Sequence, residues 1–193
     1  MTIFEVSAGV SSYALLRKLL EVVLDEGLKY QPIKGWPFSS WIISILHDLV
    51  IVPTLTYTGT SVDSMYVTTC SYYLADFVWF ARSRSFQGLF YHHVATILII
   101  AIALVHFNQE TRNRYCSNIL YMTIGSGILN LRGVLRATRK QSLPDYIYAM
   151  LYLTTRLLVI KSLKEASRFE MAISAPLLAH NFSIVYKLLN RQR

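Results

Sequence analysis

The sequence predicts an all-α polytopic membrane bundle, about six transmembrane helices with an N-terminal amphipathic interfacial helix, and three observations carry that prediction. First, the 193 residues are 53% hydrophobic and only 16% charged, more apolar side chain than one water-soluble core needs, so the surplus must face lipid. Second, apolar runs recur at close to the roughly 20 residues that a helix needs to cross a bilayer. Third, the basic residues stand singly or in pairs at the ends of those runs. A net charge of +8 arranged in that way is a topology signal and not a nucleic-acid-binding stripe, so no nucleic-acid partner is expected.

From the N-terminus, Met1 to Val10 carries Glu5 and lacks both a basic region and a continuous apolar core, so it does not read as a signal peptide. Glu5, Glu21, Asp25 and Glu26 likewise count against a mitochondrial presequence. Between Ser12 and Lys29, Arg17, Lys18, Glu21, Asp25 and Lys29 share one helical face, with Leu16, Leu19, Leu20, Val23 and Leu24 largely opposite. That pattern predicts an amphipathic helix lying at the membrane surface, with docking on a partner as the alternative. Pro32, Gly35 and Pro37 then make a turn-rich linker, which divides residues 1–38 from a transmembrane domain over 39–193.

The expected spans are about Ser39–Thr58, Ser64–Ala81, Phe90–Phe107, Tyr115–Ala137, Tyr146–Ser162 and Glu170–Leu189. Pro53 inside the first removes the donor for the carbonyl of Leu49 and predicts a kink. The fourth is the least apolar because it holds Asn118, Asn130 and Arg132, but its uncharged run from Cys116 to Leu131 is too long for a loop. Gly125-Ser126-Gly127 in that span predicts the close approach of another helix backbone. Cys70 and Cys116 have no metal-ligand or disulfide spacing and read as small buried hydrophobes.

Orientation follows from the basic residues. Twelve fall on one side: Arg17, Lys18, Lys29, Lys34, Arg82, Arg84, Arg136, Arg139, Lys140, Lys187, Arg191 and Arg193. Five fall on the other: Arg112, Arg114, Lys161, Lys164 and Arg168. Both termini are therefore expected on the cytoplasmic side, or on the matrix side of a mitochondrial inner membrane. The endoplasmic reticulum is the expected compartment, with the mitochondrial inner membrane as the alternative.

Polar groups inside the spans are where function should be sought, since a charge in the bilayer core costs roughly 2.5–3.5 kcal/mol or more and needs a partner. At about 1.5 Å per residue, Asp76 lies about 9 Å from the cytoplasmic end of its span, His47 and Asp48 about 12–14 Å, and Arg132 about 8 Å. His92 and His93 sit just inside the same face near Asn130, and His180 and Asn181 fall at a depth like that of His47. Five helices thus contribute polar side chains to one layer, which reads as a shared polar pocket or as structural pairing without a ligand. Asp48 and Asp76 are expected to pair with Arg132, Arg156 or a histidine. His92 and His93 point about 100° apart, so one of them is expected to face the pocket. No phosphate-binding loop, metal constellation, cofactor motif or internal repeat is present in the sequence.

Several of these residues carry a resemblance. Trp41-Ile-Ile-Ser-Ile-Leu-His47-Asp48, Tyr72-Tyr73-Leu-Ala-Asp76, the pair His92-His93 followed by Thr96, and Leu129-Asn130-Leu131-Arg132 with Leu135-Arg136 stand in order along the chain. Arg156 and Asn181-Phe-Ser-Ile-Val-Tyr186-Lys187 continue the series. In these motifs the chain resembles the TLC-domain family, the membrane group that includes ceramide synthases and translocation-associated membrane proteins. The resemblance implies that the histidine pair would be catalytic if the chain were an acyl-CoA-dependent acyltransferase. It also marks a departure, because in ceramide synthases a short acidic segment with histidine and aspartates follows in the next span. Here Glu110 is the only acid between His93 and Asp145.

Three readings follow from the sequence. One is a non-catalytic membrane protein that binds or organises lipid through His47, Asp48, Asp76, Thr96, Asn130, Arg132, Arg156, His180 and Asn181. Another is an accessory subunit of a larger membrane complex of respiratory or ATP-synthase type, with other membrane subunits as partners. The third is an acyltransferase using His92 and His93. None of the three requires a cofactor or a metal.

Overall fold

The computed structural model describes residues 2–24, 37–80, 87–138, 140 and 143–190. Residues 25–36, which hold Asp25 and Lys29 of the expected amphipathic helix and Pro32, Lys34 and Gly35 of the expected linker, and Arg82, Arg84, Arg139, Arg191 and Arg193 lie outside the described residues. Within them the chain is all-helical. Helix α1 spans Ile3–Val23, α2 Phe38–Leu46, α3 Val52–Tyr57, α4 Val62–Phe80, α5 Gln87–His106, α6 Gln109–Ala137, α7 Asp145–Ser162 and α8 Arg168–Leu189. A π-helical turn, His47–Ile51, joins α2 to α3 without a break, and a short 3-10 turn, Leu163–Glu165, follows α7.

Local chemistry sets the helix starts. Thr2 and Glu5 form a reciprocal capping box, the Thr2 hydroxyl accepting from the Glu5 N–H (3.2 Å) and the Glu5 carboxylate from the Thr2 N–H (2.6 Å). Asn108 and Ser167 cap α6 and α8 by accepting from the N–H groups of Thr111 and Glu170. Gly59 turns the chain between α3 and α4 at a φ of 66°, where a side chain would be strained. The kink expected at Pro53 takes the form of the π turn. Proline offers no N–H to the carbonyl of Leu49, and the preceding N–H of Val52 bonds instead to the carbonyl of His47, five residues back.

The side-chain contacts fix the directions of the helices. Trp41 meets Gly133 and Leu49 meets Gly127, so α2 runs against α6. Asn118 meets Ser162 and Arg132 meets Asp145, so α7 also runs against α6. His92 faces His180 and Phe107 faces Phe169, which makes α5 and α8 antiparallel. Asp63 at the start of α4 pairs with Arg112 at the start of α6. Thus α1, α4, α6 and α8 run one way, and α2–α3, α5 and α7 the other.

Helix α1 departs from expectation. Its Tyr13–Arg17 face does not meet an aqueous surface: it packs lengthwise along α4, in parallel. Ser71 donates to the carbonyl of Val6 (3.2 Å), Tyr13 packs edge-on against Tyr72, and Arg17 reaches Asp76. A Cβ at Gly9 would come within 2.3 Å of the Ser71 hydroxyl oxygen, so glycine is what admits this approach. The charge that the helical wheel assigns to a solvated face is consumed by a buried carboxylate. Helix α1, which starts after Thr2, thus runs in the same direction as α8, which ends before Asn190.

The distribution of polarity is inverted relative to a water-soluble protein. Arg156 and His47 are fully buried, and Arg17, Asp48, Asp76, Arg132 and Asn181 are at most 4% exposed. Ile3, Phe4, Val22, Val23, Val78 and Val105 are at least 70% exposed. Large apolar side chains facing outward around a charged interior are what a lipid solvent selects. Among the described residues one helix, the continuous Phe38–Tyr57, is by length and composition long and apolar enough to cross a membrane. Tyr91–His106 forms a shorter apolar stretch.

Candidate functional site

The π turn brings two consecutive polar residues of α2–α3 inward together. His47 is 0% exposed and Asp48 3%, although neighbours on a regular α-helix point about 100° apart. His47 stacks on Tyr72 (ring centroids 4.0 Å apart, 14° between planes), and its Nδ1 is 2.7 Å from the Tyr13 hydroxyl. Asp48 faces α6 and accepts a hydrogen bond from the Asn130 amide (3.3 Å).

From α4, Asp76 accepts from Arg17 Nη2 at 2.7 Å and lies 3.4 Å from His93 Nε2. Both side chains of the Arg17–Asp76 pair are almost fully buried, a placement that requires such compensation. The carboxylate's short bond goes to the arginine, while the imidazole stands at the outer limit of hydrogen-bond range. Tyr73 packs edge-on against both His92 and His93.

Arg156 holds α6, α7 and α8 together. Its guanidinium donates to the carbonyls of Met122 (3.0 Å) and Tyr121 (3.4 Å), to the hydroxyls of Thr155 and Ser126, and to the Asn181 side-chain oxygen (3.1 Å). It also lies 3.8 Å over the Tyr152 ring, whose hydroxyl donates to the same Asn181 oxygen. The space for it comes from Gly125, where a Cβ would fall 2.2 Å from Arg156 Nη1, and the Gly127 gap is filled by Leu49 and Asp48. Side chains, and not the backbone of another helix, enter the glycine stretch.

These groups border two cavities. A polar chamber of about 140 Å³ is lined by Ser40, Ser44, Asp48, Asp76, His92, His93, Asn130, His180 and Asn181, with Trp41, Tyr72, Tyr73 and Tyr152 among its aromatic walls. An apolar chamber of about 70 Å³ runs beside Thr69, Thr96, Ile99, Ile100, Ile119, Met122, Leu177 and Leu178. Tyr73, His92 and Ser126 border both, so the two chambers meet at the first histidine. Among the described residues no group of three or more His, Cys, Asp or Glu is placed to hold a metal ion.

Seven of the residues singled out in the sequence line the polar chamber together: Asp48, Asp76, His92, His93, Asn130, His180 and Asn181. Both histidines of the pair line it, where one was expected. Thr96 lines the apolar chamber and bonds the carbonyl of His92 (2.8 Å). His47 and Arg156 stand behind the walls, and Arg132 bonds Asp145 from its Nε (2.9 Å) near the start of α7. The expected partner for the deep acids is a histidine for Asp76, as anticipated, but its cation is Arg17, and neither Arg132 nor Arg156 takes either acid by a direct bond. Arg17, Tyr13 and Asp145 were missed as members of the network. A signal for Arg17 existed, because Asp76 needed a cation and Arg17 is flanked by Leu15, Leu16, Leu19 and Leu20.

Helices that expose apolar residues and enclose a charged, two-chambered interior fit a membrane protein. A family model described as TLC domain matches residues 33–176, and the chain belongs to the TLC-domain family. The family is membrane-associated and lipid-related, in agreement with the inverted polarity. A search of curated proteins and one of solved structures returned no match.

Proposed function

We propose that this protein is a non-catalytic integral membrane protein that holds a lipid, with the polar end in the chamber beside Asp48 and the chain in the chamber beside Thr96. The observation that carries this reading is the junction of a polar and an apolar chamber at His92, an arrangement that matches an amphiphile and has no use in a merely structural bundle. What supports the absence of catalysis is the state of the carboxylate nearest the pair. Asp76 gives its short bond to Arg17, so it is a weak partner for activating an imidazole as base or nucleophile. The acidic segment that follows the histidine pair in ceramide synthases is also missing here. In this reading α2–α3, α4, α5, α6, α7 and α8 each cross the membrane.

The test is purification in mild detergent followed by native mass spectrometry of the intact chain, beside the variant Thr96→Phe, which fills the apolar chamber. The parent is expected to retain a lipid that Thr96→Phe loses at unchanged melting temperature. Equal retention by both would place the lipid elsewhere, and a stoichiometric set of other proteins without lipid would favour the accessory-subunit reading. Acyl-CoA-dependent product formed by the parent and abolished in His92→Ala or His93→Ala, with melting unchanged, would overturn the non-catalytic assignment.

A further inference from the structure

Toward α1, the wall of the polar chamber is one side chain thick. Asp76 lines the chamber and faces both ways: one carboxylate oxygen is 3.4 Å from His93 Nε2, itself on the lining, and the other is 2.7 Å from Arg17 of α1. Tyr72 stands in the same wall. It lines the chamber with Ser44, 2.7 Å from its hydroxyl, and meets the edge of the Tyr13 ring on its other side. His47 extends this layer, with the Tyr13 hydroxyl 2.7 Å from its Nδ1. Among the described residues none of α1 lines the chamber, so α1 covers the wall from outside.

Helix α1 holds that place by few anchors. Of its 21 residues only Tyr13 and Arg17 are buried, whereas α7 buries six of its 18. The two stand four positions apart, one above the other on the face toward the wall, and both end on wall residues. Ile3, Phe4, Leu15, Leu19, Val22 and Val23 are more than half exposed, so separating α1 from α4 uncovers little apolar area. In lipid, helices are held together chiefly by polar contacts and close backbone approach. Here those are the Arg17–Asp76 pair, the Tyr13–His47 contact and the approach at Gly9, where a Cβ would lie 2.3 Å from the Ser71 hydroxyl oxygen. Arg17 sits in the later part of α1 beside the exposed Lys18, where a long side chain released from Asp76 can extend toward headgroups.

We propose that α1 is a lid on the side of the polar chamber, latched by Tyr13 and Arg17, and that its separation from α4 opens the chamber between α2 and α4. Without α1, Asp76 and Tyr72 lose the partners that hold them in the wall, and the way in faces the same surroundings as the apolar outer side of α1. The lid concerns entry to the chamber, whatever the chamber holds, and is tested without a lipid ligand.

Histidine modification by diethyl pyrocarbonate, read by peptide mass spectrometry on the full chain in detergent, measures the opening. His47 and His93 lie behind α1 and are buried, while His106, at the end of α5, and His180, on α8, serve as references away from it. In the parent, His47 and His93 are expected to react far more slowly than His106. Gly9→Ala drives a Cβ against Ser71 and should speed His47 and His93 by about tenfold, the size of shift that an overpacking penalty gives a two-state population. The references should not change. Adding Ser71→Gly removes both atoms that this Cβ meets and should restore the parent rates. Tyr13→Phe, which takes away the hydroxyl at His47 and keeps the ring, should speed both reporters by roughly threefold to tenfold. His47 and His93 reacting as fast as His106 in the parent, or unmoved by both Gly9→Ala and Tyr13→Phe, would overturn the lid. So would equal acceleration of all four histidines, which is a loosening of the whole bundle, or a Gly9→Ala effect that Ser71→Gly fails to reverse.

Discussion

Arg17 and Asp76 belong to helices 59 positions apart in sequence and meet at 2.7 Å with both side chains almost fully buried. Removing one partner of such a pair leaves the other charge unpaired in a low-dielectric interior, at a cost of about 3–5 kcal/mol. Asp76→Asn and Arg17→Ala are therefore each expected to lower the melting temperature markedly. The double replacement Arg17→Met with Asp76→Leu should recover most of the loss, because neither charge is then buried. Thermal unfolding of the four proteins in one detergent measures this, and single variants that melt like the parent would remove the pair from the account of stability. The sequence made Asp76 legible as a group in need of a cation. It did not reveal which cation, because Arg17 sits among Lys18 and Glu21 on a helical wheel that looks solvated.

At the level of helices, α6 is the organiser. It is the longest described helix, and its small residues receive side chains from two neighbours: Leu49 and Asp48 at Gly127, and Arg156 at Gly125. A Cβ at Gly127 would fall 2.6 Å from Leu49 Cγ and 2.8 Å from Asp48 Cβ, atoms close to the backbone of the π turn that cannot swing aside. Gly127→Ala is expected to destabilise by about 1–3 kcal/mol as an overpacking change and to disturb the Asp48–Asn130 contact. A chemical or thermal melt unchanged from the parent would show that the π turn yields more readily than this geometry implies. The expected boundaries of the last six helical segments agree with the structure to within a few residues, apart from the longer starts of α5 and α6. Their lengths follow from apolar runs, prolines and caps, all of which are local.

Across the whole molecule, the direction of α1 decides topology. Because α1 runs parallel to α4 and α8, a bundle crossed by the six later segments predicts α1 as a seventh crossing, with the two ends of the chain at opposite faces. The basic residues Arg17 and Lys18 stay in the later part of α1, so the charge asymmetry that orients the bundle is retained. A tag placed ahead of Thr2 should be protected from protease in sealed vesicles whenever a tag after Arg193 is cleaved, and Gln109 to Asn113 should label from the same side as the first tag. Two tags cleaved together would return α1 to the membrane surface.

What the sequence by itself determined is the class of fold, the positions of the helices and the polar layer, because these depend on composition, run length and depth along a single helix. It also made the histidine pair, Asp48, Asp76 and Asn130 visible as one group, since polar residues at matching depths in apolar runs have few other reasons to be there. Only the tertiary structure decided the partners: that Asp76 is held by Arg17, that Arg156 is spent on oxygens without formal charge, and that Ser40 lines the polar chamber without a partner. Those outcomes depend on which faces of distant helices meet, and on a π turn that swings His47 and Asp48 inward together. One helix's periodicity does not encode the rotation of its neighbour, so the composition of the chamber wall comes from the assembled bundle.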